Sequence, residues 1–334
     1  PRCLGCLPMF QRLLQRISIR SAALFLMALA DLQAQTIRLS APMVSSPRGL
    51  VVRAVTSPNG QAVAYIAQHV SSDLWELYLA PMDASQAPLE LASFALSELQ
   101  RTIAEFSPDG NWLVYQAMAG SGARELFSIA ADGSGGAFAL SGTQTSGRDV
   151  LNFALSPDSS TVVFHGDKDT NGKLELYAVP IDGSGTIVKL NAPLSPQGDV
   201  TKFQITQDSA QVVYMADQFT TDVDELFRVP IGGGVPLRVS APLVSGGDVQ
   251  AFELAPDGVR VAYVADQDVN GLDELYGVPL DGSAGSVQLS PELVPNSNAI
   301  LLNIDPSSRR VVYIAASSVA FERQICSSPL DGSG

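Results

Sequence analysis

Cysteine, histidine and positive charge are scarce in this chain of 334 residues. It has three cysteines and two histidines, and its 34 acidic residues outnumber its 20 basic ones. Cys3 and Cys6 lie within the first 35 residues, so Cys326 has no partner for an intrachain disulfide in the remainder. The histidines, His69 and His165, fall in different parts of the chain, and no Gly-x-Ser-x-Gly elbow occurs. The sequence therefore supports neither a zinc centre nor a Ser-His-acid triad.

The low content of basic residues also restricts the partners. The formal net charge is -14, and it becomes about -17 once the four arginines and Asp31 of the first 35 residues are removed. A protein this acidic repels phosphate backbones and anionic lipid. We therefore expect no binding to nucleic acid, and we expect cations or a basic protein or peptide as partners.

The first 35 residues are typical of a targeting segment. Arg12, Arg16 and Arg20 precede an apolar run, residues 21–30, which is followed by small residues near Ala34. The run is shorter than the roughly 20 residues that a membrane-spanning helix needs. We expect a secretory signal, with a mitochondrial-type presequence as the alternative, and therefore a periplasmic or secreted protein without a stable membrane span after removal of the leader.

The rest of the chain, residues 36–334, consists of a unit that recurs every 49 to 50 residues. An aromatic residue follows each anchor position by seven residues. The six anchors are Pro58, Pro108, Pro157, Gln207, Pro256 and Pro306, and the aromatic residues are Tyr65, Tyr115, Phe164, Tyr214, Tyr263 and Tyr313. A period of this length, made of short apolar runs and turns, indicates a repeat architecture.

One unit contains four predicted strands. They span residues 149–156, 161–164, 174–179 and 186–190, and a Ser-Pro-Asp-Ser turn joins the first two. Asp182-Gly183 closes the third strand and predicts a tight hairpin in which both turn residues have positive φ. Four antiparallel strands per unit correspond to one blade of a β-propeller.

The two ends of the chain are complementary in this scheme. The sixth unit reaches Gly334 where its fourth strand is due, whereas Leu39-Ser40-Ala41-Pro42 matches Val239-Ser240-Ala241-Pro242, which ends an internal fourth strand. We therefore predict an all-β, six-bladed β-propeller, closed by an N-terminal strand, Thr36–Leu39, that completes the last blade and leaves no free sheet edge.

The repeated motifs are Ser-Pro-Asp-Gly, Val-x-Tyr-x-Ala-Asp and Glu-Leu-Tyr-x-Val-Pro-x-Asp-Gly. Together they resemble the TolB-type, WD40-like β-propeller repeat, best over residues 255–283 and more weakly over 36–334. The resemblance concerns the propeller part alone, not TolB itself. It implies the fold more than the function, because such blades occur in periplasmic binding proteins and beside peptidase domains.

Strand order places the start of each first strand at one end of the blades. Polar residues occupy this position in five units, and we name them the acidic rim: Asp149, Asp199, Asp248, Gln100 and Asn298. Converging carboxylates there can hold a cation or a basic side chain. The alternative is that Gly-Asp before a strand is ordinary turn chemistry.

Two loops at the same end resemble the first half of a calcium-binding loop. Oxygen-bearing residues alternate before a glycine: Asp167, Asp169 and Asn171 in the third unit, and Asp266, Asp268 and Asn270 in the fifth. Alternating oxygens of this kind can ligate calcium. The bidentate glutamate at the twelfth position is absent, however, and a polar hairpin connection is the alternative.

A glutamate before each Leu-aromatic pair recurs in five units, at Glu76, Glu125, Glu175, Glu225 and Glu274. We expect it to make a cross-strand hydrogen bond or ion pair. The sequence as a whole predicts an exported, non-catalytic propeller that binds a protein or peptide. The alternatives are a calcium-assisted enzyme acting on a carbohydrate or lactone, and a propeller lobe of a larger protein.

Overall fold

The computed structural model describes residues 37–40, 50–69, 74–95, 103–119, 121–291, 293, 298–316 and 323–333. The chain divides into two compact units, Pro1–Leu39 and Ser40–Gly334. Of the first unit, residues 37–39 are described, and they form no strand. All regular structure of the described residues lies in the second unit.

The described residues form 23 strands and no helix, arranged as six antiparallel sheets. Sheet 1 comprises β1 (Val51–Thr56), β2 (Ala62–Ala67), β3 (Leu74–Pro81) and β4 (Leu89–Ala95). Sheet 2 comprises β5 (Ala104–Phe106), β6 (Trp112–Met118), β7 (Arg124–Ala130) and β8 (Phe138–Ala139). Sheet 3 comprises β9 (Val150–Leu155), β10 (Thr161–Gly166), β11 (Glu175–Pro180) and β12 (Val188–Lys189).

Sheet 4 comprises β13 (Val200–Ile205), β14 (Gln211–Ala216), β15 (Glu225–Pro230) and β16 (Leu237–Arg238). Sheet 5 comprises β17 (Val249–Leu254), β18 (Arg260–Ala265), β19 (Glu274–Pro279) and β20 (Val287–Gln288). Sheet 6 comprises β21 (Ile300–Ile304), β22 (Arg310–Ala316) and β23 (Arg323–Pro329). No helix in the described part of the chain is long and apolar enough to cross a membrane.

Each sheet follows chain order, so one repeat unit folds into one sheet. The four strands predicted for the third unit are confirmed as β9 to β12, within one or two residues at most of their ends. The predicted Asp-Gly turn is wrong in one respect. Gly183 has a positive φ of 69°, but Asp182 does not, and its carboxylate instead accepts the amide of Ser184 at 3.0 Å.

Successive sheets bury their apolar side chains against each other in five hydrophobic clusters, one for each neighbouring pair from sheets 1 and 2 to sheets 5 and 6. The repeated aromatic residues are at most 4% exposed, which confirms that they belong to the core. In sheets 1 to 5 each stacks on the aromatic residue of the neighbouring third strand, as Phe164 does on Tyr177 at 5.2 Å between ring centroids. Such pairs add about 0.5–1.5 kcal/mol beyond the burial of their area.

A second repeated contact joins a third-strand leucine to the first strand of the next sheet. The pairs that share a cluster are Leu126 with Val150, Leu176 with Val200, Leu226 with Val249, and Leu275 with Ala299, and all eight residues are at most 4% exposed. Burying an aliphatic side chain stabilises by roughly 1.5–3 kcal/mol. Each sheet therefore depends on its neighbour for its stability.

Sheet 6 has three strands in the described residues. The predicted pairing of Thr36–Leu39 with its third strand is not confirmed, because Thr36 lies outside the described residues and residues 37–39 form no strand. The predicted closure of six blades therefore stays a prediction at this point.

The turns between first and second strands link neighbouring sheets by hydrogen bonds. Ser159, Ser209 and Ser308 have positive φ of 64°, 59° and 59°, at the position where other turns have glycine. The hydroxyl oxygen of each accepts the backbone amide of an aspartate in the preceding sheet, at 2.9–3.0 Å. This bond offsets the roughly 1–2 kcal/mol that a left-handed conformation costs a residue with a side chain.

Candidate functional site

The acidic rim lies where the first strands of the sheets begin. Asp149, Asp199 and Asp248 immediately precede β9, β13 and β17, and all three are partly exposed. Asn298 precedes β21 by two residues and is exposed. Gln100 lies outside the described residues. The structure thus places four of the five predicted residues at equivalent positions of successive sheets.

Each of these four residues accepts a hydrogen bond from the preceding sheet. The backbone amides of Arg124, Leu174 and Asp224 donate to Oδ1 of Asp149, Asp199 and Asp248 at 2.6–2.7 Å. The amide of Asp273 donates to Oδ1 of Asn298 at 3.3 Å. The repeated aspartate therefore connects the sheets, and an asparagine is able to do the same.

The connection uses only one oxygen of each carboxylate. Oδ2 of Asp149, Asp199 and Asp248 accepts no hydrogen bond from the described residues. The ion pairs between described residues lie elsewhere, at Lys168, Lys189, Lys202 and Arg238. The negative charge of these three side chains is thus available to a partner.

The first aspartate of each predicted calcium loop holds the loop together. Oδ1 of Asp167 accepts the amide of Asp149, and Oδ2 accepts the amide of Gly172 at 2.9 Å. Asp266 does the same for Asp248 and Gly271 in sheet 5. Asp217, which the sequence reasoning missed, has this role in sheet 4. The alignment of Asp217 with Asp167 and Asp266 in the repeat could have identified it.

The remaining predicted ligands have separate contacts. Asp169 forms an ion pair with Lys189 at 2.7 Å, and Asp268 accepts the hydroxyl of Tyr276 at 2.9 Å. The side chains of Asn171 and Asn270 lie over Gly147 and Gly246, respectively, close to where a Cβ would stand. Among the residues that the structure describes, no three His, Cys, Asp or Glu side chains are grouped so as to hold a metal ion.

Calcium binding at these loops stays a prediction, and it is checked by the melting temperature with calcium and with a chelator. A site that binds calcium in the folded state raises the melting temperature, because ligand binding stabilises the folded protein by mass action. The Asp266→Asn variant is expected to lose that increase. A melting temperature that is the same in calcium and in chelator contradicts the prediction.

Asp224 is a partly buried acid among the rim carboxylates, and the sequence reasoning missed it. Its Oδ2 accepts the hydroxyl of Thr201 at 3.1 Å, whereas its Oδ1 is buried and has no hydrogen-bond partner among the described residues. Burial raises the pKa of Asp224 to about 7, helped by the charges of Asp248, Asp217 and Asp199 and opposed by the Thr201 bond. Four carboxylates therefore lie close enough to influence each other. The equivalent residue is Leu174 in sheet 3 and Asp273 in sheet 5, so no constant residue type marks this position in the sequence.

The Asp224→Asn variant is expected to be more stable than the natural protein at pH 8. In the unfolded chain the pKa is about 3.9, so ionising Asp224 costs free energy only in the folded state. This lowers the free energy of unfolding as the pH rises from about 4 to about 7. Urea unfolding between pH 5 and 8 measures the difference, which should shrink towards pH 5. Asp222→Asn, at an exposed neighbour, is the control, and an equal gain there contradicts the assignment.

The recurring glutamates have the expected cross-strand role. Glu175 and Glu225 form ion pairs with Lys189 and Arg238 at 2.8 and 2.7 Å, and Glu274 accepts the side-chain amide of Gln288 at 2.7 Å. In sheets 1 and 2 the glutamate accepts a backbone amide instead, at 2.7–2.8 Å. This confirms the structural prediction for these residues.

The two histidines lie in different sheets. His69 is buried after β2 beside Tyr78, and His165 lies on β10 beside Phe203, where burial lowers the pKa of its ring. Neither ring has a hydrogen-bond partner of good geometry among the described residues.

The antiparallel sheets, the blade-like repeat and the links between sheets define the class of a β-propeller repeat protein. Residues 125–290, just under half of the chain, match the family model described as the Lipoprotein LpqB beta-propeller domain. The predicted resemblance to the TolB-like β-propeller repeat family is confirmed. No curated protein matches the chain in sequence.

Two solved peptidase structures support the fold, and a TolB structure is a weaker match. Dipeptidyl peptidase 4 from Porphyromonas gingivalis matches with a TM-score of 0.60 and 13% identity, over 87% of this chain and 46% of that one. Oligopeptidase B from Leishmania major matches with a TM-score of 0.52 and 10% identity, over 84% and 41%. A putative TolB from Agrobacterium tumefaciens matches with a TM-score of 0.42 and 16% identity, over 74% and 82%. The chain thus spans less than half the length of these two peptidases.

Proposed function

We propose that this protein is an exported, non-catalytic β-propeller that binds a basic protein or peptide through the acidic rim. The observation that carries the proposal is that the two oxygens of each rim carboxylate have different roles. Oδ1 of Asp149, Asp199 and Asp248 accepts a backbone amide of the preceding sheet, and Oδ2 accepts no hydrogen bond from the described residues. A lysine or arginine of a partner pairs with carboxylates held in this way.

The surrounding acids strengthen the attraction. Asp199, Asp217 and Asp248 raise the pKa of Asp224, so their negative potentials overlap at this end of sheets 4 and 5. Potentials of one sign concentrate partners of the opposite charge and accelerate their association. Export is supported by residues 1–35, whose pattern is that of a leader, although these residues lie outside the described part of the chain.

The triple variant Asp149→Asn, Asp199→Asn, Asp248→Asn tests this proposal. Asn298 already accepts the same backbone amide in sheet 6, so asparagine preserves the link between sheets while removing three charges. We expect affinity for a fluorescent lysine-rich peptide to fall by about tenfold or more, since each partly exposed pair contributes up to about 1 kcal/mol. Fluorescence anisotropy at low and moderate salt measures the loss.

A matched control exists at the opposite end of the first strands. The triple variant Asp109→Asn, Asp158→Asn, Asp208→Asn removes the same charge from the repeated turn. Sheet 1 naturally has Asn59 there, and it accepts the same turn amide at 3.0 Å. If both triple variants weaken binding of the peptide equally, the rim is not the docking surface. The same conclusion follows if both variants and the natural chain retain the same proteins when they are purified from the exported fraction.

We also propose that the six sheets are the blades of one closed propeller. The support is the repeated leucine contact between sheets. Ile325 of β23 occupies the position of the third-strand leucine in sheet 6, and Val51 of β1 occupies the position of its first-strand partner in sheet 1. These two side chains are 76% and 46% exposed. Their equivalents at the four internal junctions where both residues are described are buried, so these two side chains suit a sixth junction of the same kind.

The Ile325→Ala variant tests closure. In a closed ring Ile325 is a core residue, and its truncation should cost roughly 2–5 kcal/mol of unfolding free energy. An exposed residue should change it by less than about 0.5 kcal/mol. Urea unfolding measures the change, with Leu237→Ala, at a 52% exposed residue of β16, as the control. Equal, small effects of both variants contradict closure.

A second candidate function is that of a propeller lobe in a larger polypeptide. It is supported by the likeness to dipeptidyl peptidase 4, of which the chain covers 46%. That likeness concerns the fold alone. In this case the acidic rim faces a partner domain instead of a separate protein, and the triple asparagine variant weakens that contact in the same way.

A further inference from the structure

The first strands of sheets 4 and 5 direct some of their backbone groups away from the second strands. The amide of Thr206 donates to the carbonyl of Gln211 at 2.9 Å, and the amide of Ala255 donates to that of Arg260 at 2.9 Å. Along an antiparallel strand, every second residue forms hydrogen bonds to the same neighbouring strand. The residues one and three positions before Thr206 and Ala255 therefore direct their N–H and C=O groups to the opposite edge. These outward residues are Phe203 and Ile205 in sheet 4, and Phe252 and Leu254 in sheet 5.

Between sheets 4 and 5, side chains of sheet 4 satisfy these outward groups. The ammonium of Lys202 donates to the carbonyl of Phe252 at 2.6 Å, and Oε1 of Gln204 accepts the amide of Leu254 at 2.9 Å. The amide nitrogen of Gln204 then donates to Glu253 at 3.0 Å. Two alternate residues of sheet 4, a donor and an acceptor, thus cap the outward backbone groups of sheet 5.

Between sheets 3 and 4 this cap is missing. The residues of sheet 3 equivalent to Lys202 and Gln204 are Asn152 and Ala154. Asn152 is short, and its Oδ1 accepts the amide of Phe153 at 2.9 Å, whereas Ala154 has no polar group. No hydrogen bond from the described residues reaches the carbonyl of Phe203 or the amide of Ile205 on this edge.

A cavity of about 350 Å³ lies at this place, lined by the ends of β9, β13 and β17 and by the turns that follow them. Apolar wall is supplied by Leu155, Pro157 and Leu254, and polar groups by Gln207 and Glu253. Gln207 stands where the other five units have proline. Phe203 and Ile205 are partly exposed, so their outward carbonyl and amide are accessible from the cavity and can form hydrogen bonds with a ligand.

One residue of an extended chain can pair with both groups. In a parallel pair of strands, one residue makes two hydrogen bonds to the neighbouring strand. Its N–H donates to the carbonyl of one residue, and its C=O accepts from the amide of the residue two positions later. The carbonyl of Phe203 and the amide of Ile205 have this spacing. We propose that the cavity binds an extended peptide segment of a partner, one residue of which pairs with Phe203 and Ile205 while its apolar side chain contacts Leu155 and Pro157.

The site is separate from the acidic rim. Asp199 precedes β13 and Ile205 ends it, and six residues of strand span roughly 20 Å. The proposal is therefore independent of the function proposed for the rim, and the two can fail separately.

The experiment uses the full chain and the probe N-acetyl-leucine-N′-methylamide. The leucine residue of this probe supplies the N–H for the carbonyl of Phe203 and the C=O for the amide of Ile205. We expect a saturable shift of the Ile205 amide signal in ¹⁵N–¹H spectra. The same probe methylated on the leucine nitrogen lacks the donor, and we expect at least tenfold weaker binding from it. Equal binding of both probes, or no saturable shift up to the solubility limit, overturns the proposal.

Two variants exploit the internal repeat. Asn152→Lys with Ala154→Gln transfers the sheet 4 cap into sheet 3, and it is expected to weaken binding of the probe at least tenfold. Lys202→Asn with Gln204→Ala makes the reverse change, and it is expected to create a second saturable site reported by the Leu254 amide. Unchanged binding by the first variant, or no response of Leu254 in a folded second variant, contradicts the assignment.

Discussion

The rest of the structure depends on the burial of apolar side chains between successive sheets. Each sheet is apolar on both faces, and the clusters join one sheet to the next from sheet 1 to sheet 6. A single twisted sheet of four short strands has no core of its own. Stability therefore accumulates with each added junction, as in other repeat proteins, and the hydrogen-bonded links at either end of the strands act on sheets that packing already holds together.

Those links explain why the acidic residues recur. A carboxylate before the first strand supplies an acceptor for an amide of the preceding sheet, and its second oxygen is left for other contacts. Turn chemistry and partner binding are thus compatible uses of the same residue. Where the link alone is required, asparagine suffices, as at Asn298. The aspartates of sheets 3 to 5 therefore add charge beyond what this link needs.

The sequence predicted the strands, the turns and the buried aromatic residues well, because a six-fold repeat shows each pattern several times. It also predicted where Asp149, Asp199 and Asp248 lie. It did not predict that Asp224 is a partly buried acid with an orphan oxygen, since the equivalent residue varies between neighbouring units, from Leu174 in sheet 3 to Asp273 in sheet 5. That environment arises from the approach of Thr201 and three other acids from separate strands. Alternating oxygens in a loop look the same in a sequence whether they ligate an ion or accept backbone amides, so calcium binding at the loop aspartates stays a prediction.

The departures from the repeat are more informative about function than the repeat itself. A residue common to all units serves the sheet, as the buried glutamates and aromatic residues do. At the junction of sheets 3 and 4, Gln207 replaces the proline of the other five units and lines a cavity. Lys202 and Gln204 pair the outward backbone groups of sheet 5, whereas Asn152 and Ala154 make no such bond to sheet 4. Because sheets 4 and 5 show that these groups can be paired from the neighbouring sheet, the cavity leaves the corresponding groups of Phe203 and Ile205 accessible to a partner.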